Sequence, residues 1–195
     1  MERGYLYLLI GALLTATGSL PINLNVLPFF SLEFFGYLLI LMGIREMRTS
    51  AKELRNAYYF TIITLGLRFI LPLALMVLPR TIVVNSLFSI FYISIIFFSL
   101  GIFFWLFKAE YMWSPHTAKR VDWLMYSIVS LVYLGIYIIV VFSVISEQVL
   151  SRNAFRNVVD VFRFMPFLYY AVLIYILVKL YLDARGSMPG FKRWG

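Results

Sequence analysis

Arg68 is the residue whose position most strongly suggests chemistry, because it lies mid-way along the apolar stretch 57–78. A charge at the centre of a membrane-spanning helix costs roughly 2.5–3.5 kcal/mol on insertion scales, so this side chain is expected to face protein or water. Pro72 follows four residues later and removes the helical hydrogen bond that would go to the Arg68 carbonyl. The sequence therefore predicts a polar site, formed by the Arg68 guanidinium and a free carbonyl, inside an apolar bundle.

Thr61, Thr64, Arg68 and Pro72 recur at intervals of three or four residues and so form one helical stripe. Counting about 1.5 Å per residue from the ends of the second and third predicted helices places Glu33 and Arg68 at the same depth, roughly 18–20 Å. An ion pair between them is predicted. In one interpretation Arg68 binds an anionic group of a ligand or lipid, and Glu33 either holds Arg68 in place or exchanges with the ligand. In the other, the pair is closed and only fixes helix register.

Two further faces are candidates for contact. On the fifth predicted helix, Tyr133 belongs to a stripe of hydroxyl side chains that either lines a cavity or packs against another helix. With Arg68, Glu33 and Thr64 it completes the predicted ligand-binding set.

On the first helix, Ala12 and Ala16 form a small-xxx-small pair that lets another helix approach closely. They are predicted to bind a partner, whether that helix is internal or belongs to another membrane subunit.

Catalytic chemistry has little support in this sequence. It contains no Cys and a single His, His116, and it has no Gly-rich phosphate loop, nucleophile elbow, metal-ligand cluster or pair of intramembrane carboxylates. We therefore predict a non-enzymatic protein without metal or cofactor. The net charge of +8 does not indicate nucleic acid, because the Lys and Arg residues form short clusters between apolar runs.

The elements that must position these residues are membrane helices. Hydrophobic residues make up 63% of the 195 and charged residues 13%, far from the composition of a soluble domain. The whole chain, 1–195, is read as one all-α transmembrane domain: a polytopic helical bundle whose first helix is retained, not cleaved as a signal peptide. Its spans are predicted at about 5–20, 29–44, 57–78, 83–107, 122–145 and 163–183, with an interfacial helix at 147–161.

Charge and turn residues give the bundle an orientation. Of the 17 Lys and Arg residues, twelve fall on the side of the termini, four fall on the other side, and Arg68 lies between. By the positive-inside rule both termini are cytoplasmic, which fits six crossings in three antiparallel hairpins within a cell membrane. The lipid bilayer is the predicted partner.

The stretch 21–44, PINLNVLPFFSLEFFGYLLILMGI, resembles the N-terminal hairpin of small uncharacterised multipass proteins of Gram-positive bacteria. Those proteins carry an Asn-x-Asn element, matched by Asn23 and Asn25, followed by Leu-Pro-Asp-Phe-Ile-Gly-Tyr. Here Glu33 replaces the Asp and Leu32 stands where the Pro would be. The resemblance implies a bacterial plasma membrane location and importance for Glu33, and it names no reaction.

A looser resemblance is to the substrate-binding subunits of energy-coupling-factor transporters. They have about this size, six helices and cytoplasmic termini, and they dock their partner through Ala-xxx-Ala faces. The leading hypothesis is accordingly a non-enzymatic component of a transport system that binds a small ligand or a partner subunit. The alternative is a membrane scaffold or regulatory protein whose buried charges are structural.

Overall fold

A computed structural model describes residues 2–18, 32–47, 52–77, 82–113, 117–146 and 152–186. They form six helices: α1 (Glu2–Gly18), α2 (Leu32–Glu46), α3 (Lys52–Val77), α4 (Ile82–Trp113), α5 (Thr117–Ser146) and α6 (Arg152–Ala184). The Asn-x-Asn element and His116 lie outside these ranges. Each helix packs against the next one, and α1 also packs against α6, so the described helices close into a ring.

Neighbouring helices run in opposite directions, as the predicted hairpins require. Glu110 of α4 pairs with Lys119 of α5, while Leu100, ten residues earlier, meets Tyr126. Glu2 and Arg185 lie 3.9 Å apart, which brings the first and last described turns to one end of the bundle. Which side of a membrane this end faces stays a prediction.

Four helices contain segments that are long and apolar enough to cross a membrane: Lys52–Ala74, Leu87–Trp113, Thr117–Phe142 and Phe164–Ala184. The outward faces of these segments carry large apolar side chains, such as Ile128 and Leu131, that are more than half exposed and suit hydrocarbon. This is an integral membrane helical protein. With 17 and 15 described residues, α1 and α2 are shorter than the roughly 20 that a crossing needs.

Several helices extend beyond their predicted spans, because an apolar run marks the hydrocarbon zone and not the end of a helix. α4 continues from 107 to Trp113, and α5 begins at Thr117 instead of 122. The separate interfacial helix predicted at 147–161 is not found: residues 152–161 are continuous with α6, and 147–151 lie outside the described residues. The charges do lie on a helix, as their spacing predicted, but that helix continues through Pro166 into the following span.

The closest helix contact is between α1 and α2, and glycines make it possible. A Cβ on Gly36 would lie 2.7 Å from the Gly11 carbonyl oxygen, and one on Gly43 would lie 2.7 Å from the Gly4 carbonyl oxygen. Both distances are too short for a carbon atom, so the two backbones are in direct contact. Van der Waals packing of this kind drives helix association within lipid.

Replacing Gly36 or Gly43 by Ala is therefore expected to destabilise the protein. The clash is with backbone, which cannot rotate away, and overpacking costs about 1–3 kcal/mol. Gly66→Ala and Gly135→Ala are the matched controls, because a Cβ at either position meets nothing within 4 Å. Thermal unfolding of the purified variants in detergent would measure the difference. Equal melting temperatures for all four would contradict the close packing.

Candidate functional site

A cavity of about 360 Å³ lies within the bundle and receives side chains from all six helices. It borders a small apolar cluster formed by Leu71, Phe88 and Ile95 on one side and the main core on the other. Its polar lining combines one acid, one base and several hydroxyls: Thr15, Glu33, Tyr37, Arg68, Tyr92, Ser99, Tyr133, Tyr169 and Tyr170.

The predicted ion pair is present at this cavity: Arg68 Nη1 donates to Glu33 Oε2. The guanidinium carbon also lies 4.9 Å from the centroid of the Tyr37 ring, a cation–π contact. The Arg68 and Glu33 side chains are 23% and 18% exposed, so both can be reached from the cavity. Arg68 Nε is buried and has no hydrogen-bond partner among the described residues.

Tyr37 is held in place by a short chain of hydrogen bonds. Its hydroxyl donates to Ser99 Oγ at 2.8 Å, and the Ser99 hydroxyl donates to the Ile95 carbonyl at 2.6 Å. Ser99 lies on α4 and Tyr37 on α2, so this contact links two helices that are not neighbours in the chain. The fixed ring in turn restricts where the Arg68 guanidinium can lie.

Of the other residues predicted to bind ligand, Tyr133 lines the cavity and Thr64 does not. The Tyr133 ring stacks on the Tyr169 ring, with centroids 5.5 Å apart and planes 15° apart. The Thr64 side chain is fully buried, and its hydroxyl donates to the Phe60 carbonyl at 2.8 Å. Its polar group is thus used within its own helix.

Ala12 and Ala16, the predicted partner-binding residues, lie on α1 and differ in exposure. Ala12 is fully buried in the core of the chain, so it cannot form part of an exposed docking face. Ala16 is half-buried. The small-residue character of α1 was recognised correctly, but much of it serves the contact of Gly4 and Gly11 with α2.

A second group of charges, at the end of the bundle that holds Glu2 and Arg185, was missed by the sequence analysis. Lys179 Nζ lies 2.6 Å from Asp122 Oδ2, and Lys119 Nζ lies 3.2 Å from Glu110 Oε2. The Tyr5 hydroxyl also donates to Glu110. Glu110 and Asp122 are both nearly buried, at 5% and 6% exposure. Acidic residues just inside helix ends, close to lysines, were the available signal.

Lys179→Met is expected to lower the free energy of unfolding by about 2 kcal/mol. The change leaves the Asp122 carboxylate buried and unpaired, and the cost is below that of a fully buried pair because Lys179 is partly exposed. Arg185→Met breaks the exposed pair with Glu2 and should have no measurable effect. Chemical unfolding in detergent would compare them, and equal stability of the two variants would contradict a structural role for Asp122.

Within the described ranges, no group of three or more His, Asp and Glu residues could hold a metal ion. No family model, curated protein or solved structure matches this chain. The geometry of the cavity is therefore the basis for a functional proposal.

Proposed function

We propose that this protein binds a small ligand in the cavity around Arg68 and Glu33, as a non-enzymatic component of a transport system in the cell membrane. The observation that supports this most directly is the position of the ion pair. Both charged side chains border open space instead of being sealed between helices. Ionisable residues within membrane segments are costly, and they commonly mark binding sites or transport paths.

The size and lining of the cavity also favour a small molecule. Its volume of about 360 Å³ is at the lower end of the range for ligand pockets. Such pockets are lined mainly by apolar and aromatic side chains with a few polar groups that orient the ligand. Here Phe34, Phe103 and Tyr170 supply apolar wall, and Arg68 and Glu33 supply charge.

The same lining supports binding without a reaction. Among the described residues around the cavity, Glu33 is the only carboxylate, and no His or Lys contributes to the lining. Acid–base catalysis commonly needs a second group that can exchange protons near neutral pH. A guanidinium keeps its proton and serves better as an anion-binding group.

The location of the cavity suggests how a ligand would enter. Glu33 lies about 20 Å from the end of α2 at Glu46, and Arg68 lies about 24 Å from the start of α3 at Lys52. If the end that holds Glu2 and Arg185 is cytoplasmic, as charge predicts, the pair lies nearer the outer surface. A binding subunit that receives a ligand from outside would have its site there.

Affinity purification of the tagged protein from its native membranes in mild detergent tests the transport part of the proposal. Stoichiometric recovery of an ATPase and a second membrane subunit, identified by mass spectrometry, is the expected result. Recovery of the protein alone, or only as a homo-oligomer, would contradict membership of a multi-subunit transporter.

A scaffold or regulatory role is the second candidate, and the direct contact between Arg68 and Glu33 favours it. A pair that is already satisfied needs no ligand. If the pair is only structural, replacing both residues by Gln should leave the folded protein fully active in cells. Loss of activity in a double variant that still folds would favour the binding site.

A further inference from the structure

We infer that the ligand is a small aromatic zwitterion: its anionic group would lie against Arg68, its cationic group against Glu33, and its ring against the tyrosines that line the cavity. This inference rests on the proposed function and specifies the class of ligand. It follows from the charge of the cavity, from the geometry of the pair and from the composition of the walls.

The charge of the cavity favours a ligand without net charge. Arg68 and Glu33 together are neutral, and within the described residues no other formally charged side chain lines the space. An anion alone would add to the negative charge of Glu33, and a cation alone would add to the positive charge of Arg68. Because repulsion between like charges is strong in a medium of low dielectric, either would bind poorly. A zwitterion keeps every charge paired.

The geometry of the pair leaves both groups able to make further contacts. The contact uses one guanidinium nitrogen and one carboxylate oxygen, Nη1 and Oε2. A guanidinium carries five N–H donors and a carboxylate has two oxygens, so each group can hold its partner and a ligand group together. The Tyr37 ring covers the guanidinium at 4.9 Å and keeps it from turning freely.

The walls favour an aromatic body between the two charged ends. Tyr169 stacks on Tyr133 and meets Tyr170 edge to face, with centroids 5.0 Å apart in the latter pair. Aromatic rings prefer to stack or to meet edge to face with further rings. All three tyrosines line the cavity.

Three probes, each with a phenyl ring, distinguish a zwitterionic ligand from an anionic or a cationic one. They are phenylalanine, 3-phenylpropionate and 2-phenylethylamine. Their binding to the full-length protein in lipid nanodiscs can be measured by calorimetry. Phenylalanine is expected to bind at least tenfold more tightly than either singly charged probe. Glycerophosphoethanolamine, a zwitterion without a ring, represents a lipid headgroup and is expected to bind weakly.

Variants of the pair test the assignment of each charge. Glu33→Gln should shift the preference towards 3-phenylpropionate by at least tenfold, and Arg68→Gln should shift it towards 2-phenylethylamine. Arg55→Gln is the matched control, because Arg55 is an exposed arginine on the same helix, and it should leave the ranking unchanged. Should a single variant fail to fold, the ranking of the probes on the unaltered protein still decides the question.

Each other outcome has a defined meaning. Tighter binding of either singly charged probe than of phenylalanine would overturn the zwitterion and leave a ligand site intact. Tighter binding of glycerophosphoethanolamine would overturn the aromatic part and indicate a lipid headgroup. If no probe binds but a small-molecule extract of the native cells raises the melting temperature, the inference fails while the proposed function stands. If the extract also has no effect, both fail.

Discussion

Arg68→Gln and Glu33→Gln are each expected to lower the free energy of unfolding by about 3–4 kcal/mol. Each change leaves the other charge inside an apolar bundle without a partner, and breaking a buried pair costs roughly 3–5 kcal/mol. The estimate lies at the lower end because both side chains are partly exposed to the cavity. The double variant should lose much less than the sum of the two single variants, because it leaves no unpaired charge.

Unfolding of the three variants in the same detergent gives the coupling energy directly. Arg55→Gln is again the control, since it removes an exposed arginine from α3 and should change stability by less than about 0.5 kcal/mol. Additive losses in the double variant would show that the two residues do not interact in the folded protein.

Ile96→Trp is expected to abolish ligand binding without unfolding the protein. Ile96 lines the cavity from α4, and an indole at this position would extend into the space that a ligand needs. A ligand that needs this space should lose at least a hundredfold in affinity, while the melting temperature should change by only a few degrees because open space accepts the ring. Binding of the phenylalanine probe to nanodisc samples would measure the loss.

Ile90→Trp on the same helix is the matched control, because Ile90 is 57% exposed on the outer surface, where an indole can face lipid. It should bind like the unaltered protein. Equal affinity of Ile96→Trp and Ile90→Trp would mean that ligand is bound elsewhere.

The ion pair could be predicted from sequence because few arrangements satisfy a charge within a membrane helix. Arg68 required a partner, and Glu33 was the acid at matching depth on a neighbouring helix. Six helices followed from the length of the apolar runs in the same way. Neither prediction depends on the orientation of each helix about its own axis.

Details that depend on which face each helix turns towards its neighbours could not be predicted. Thr64 lies on the same stripe as Arg68, yet its hydroxyl is used by the Phe60 carbonyl of its own helix, a choice open to any helical threonine. Ala12 and Gly11 are adjacent small residues, and only the packed structure shows which of them meets the α2 backbone.

Glu110 and Asp122 show a different limit of sequence reasoning. Charged residues at the ends of membrane helices are usually solvated, so the nearness of these acids to lysines was only a weak signal of burial. Their burial arises because α4 and α5 continue past the predicted spans and pack against each other there. Tyr5 of α1 and Lys179 of α6 then contact Glu110 and Asp122, respectively.

The most direct test of the central claim is the small-molecule content of the protein purified from its native membranes, measured by mass spectrometry after release with denaturant. A compound close to one per protein chain in the unaltered protein and in Ile90→Trp, and absent from Ile96→Trp, is the predicted result. The same content in all three samples, or no bound compound in any of them, would contradict a ligand site in the cavity around Arg68 and Glu33.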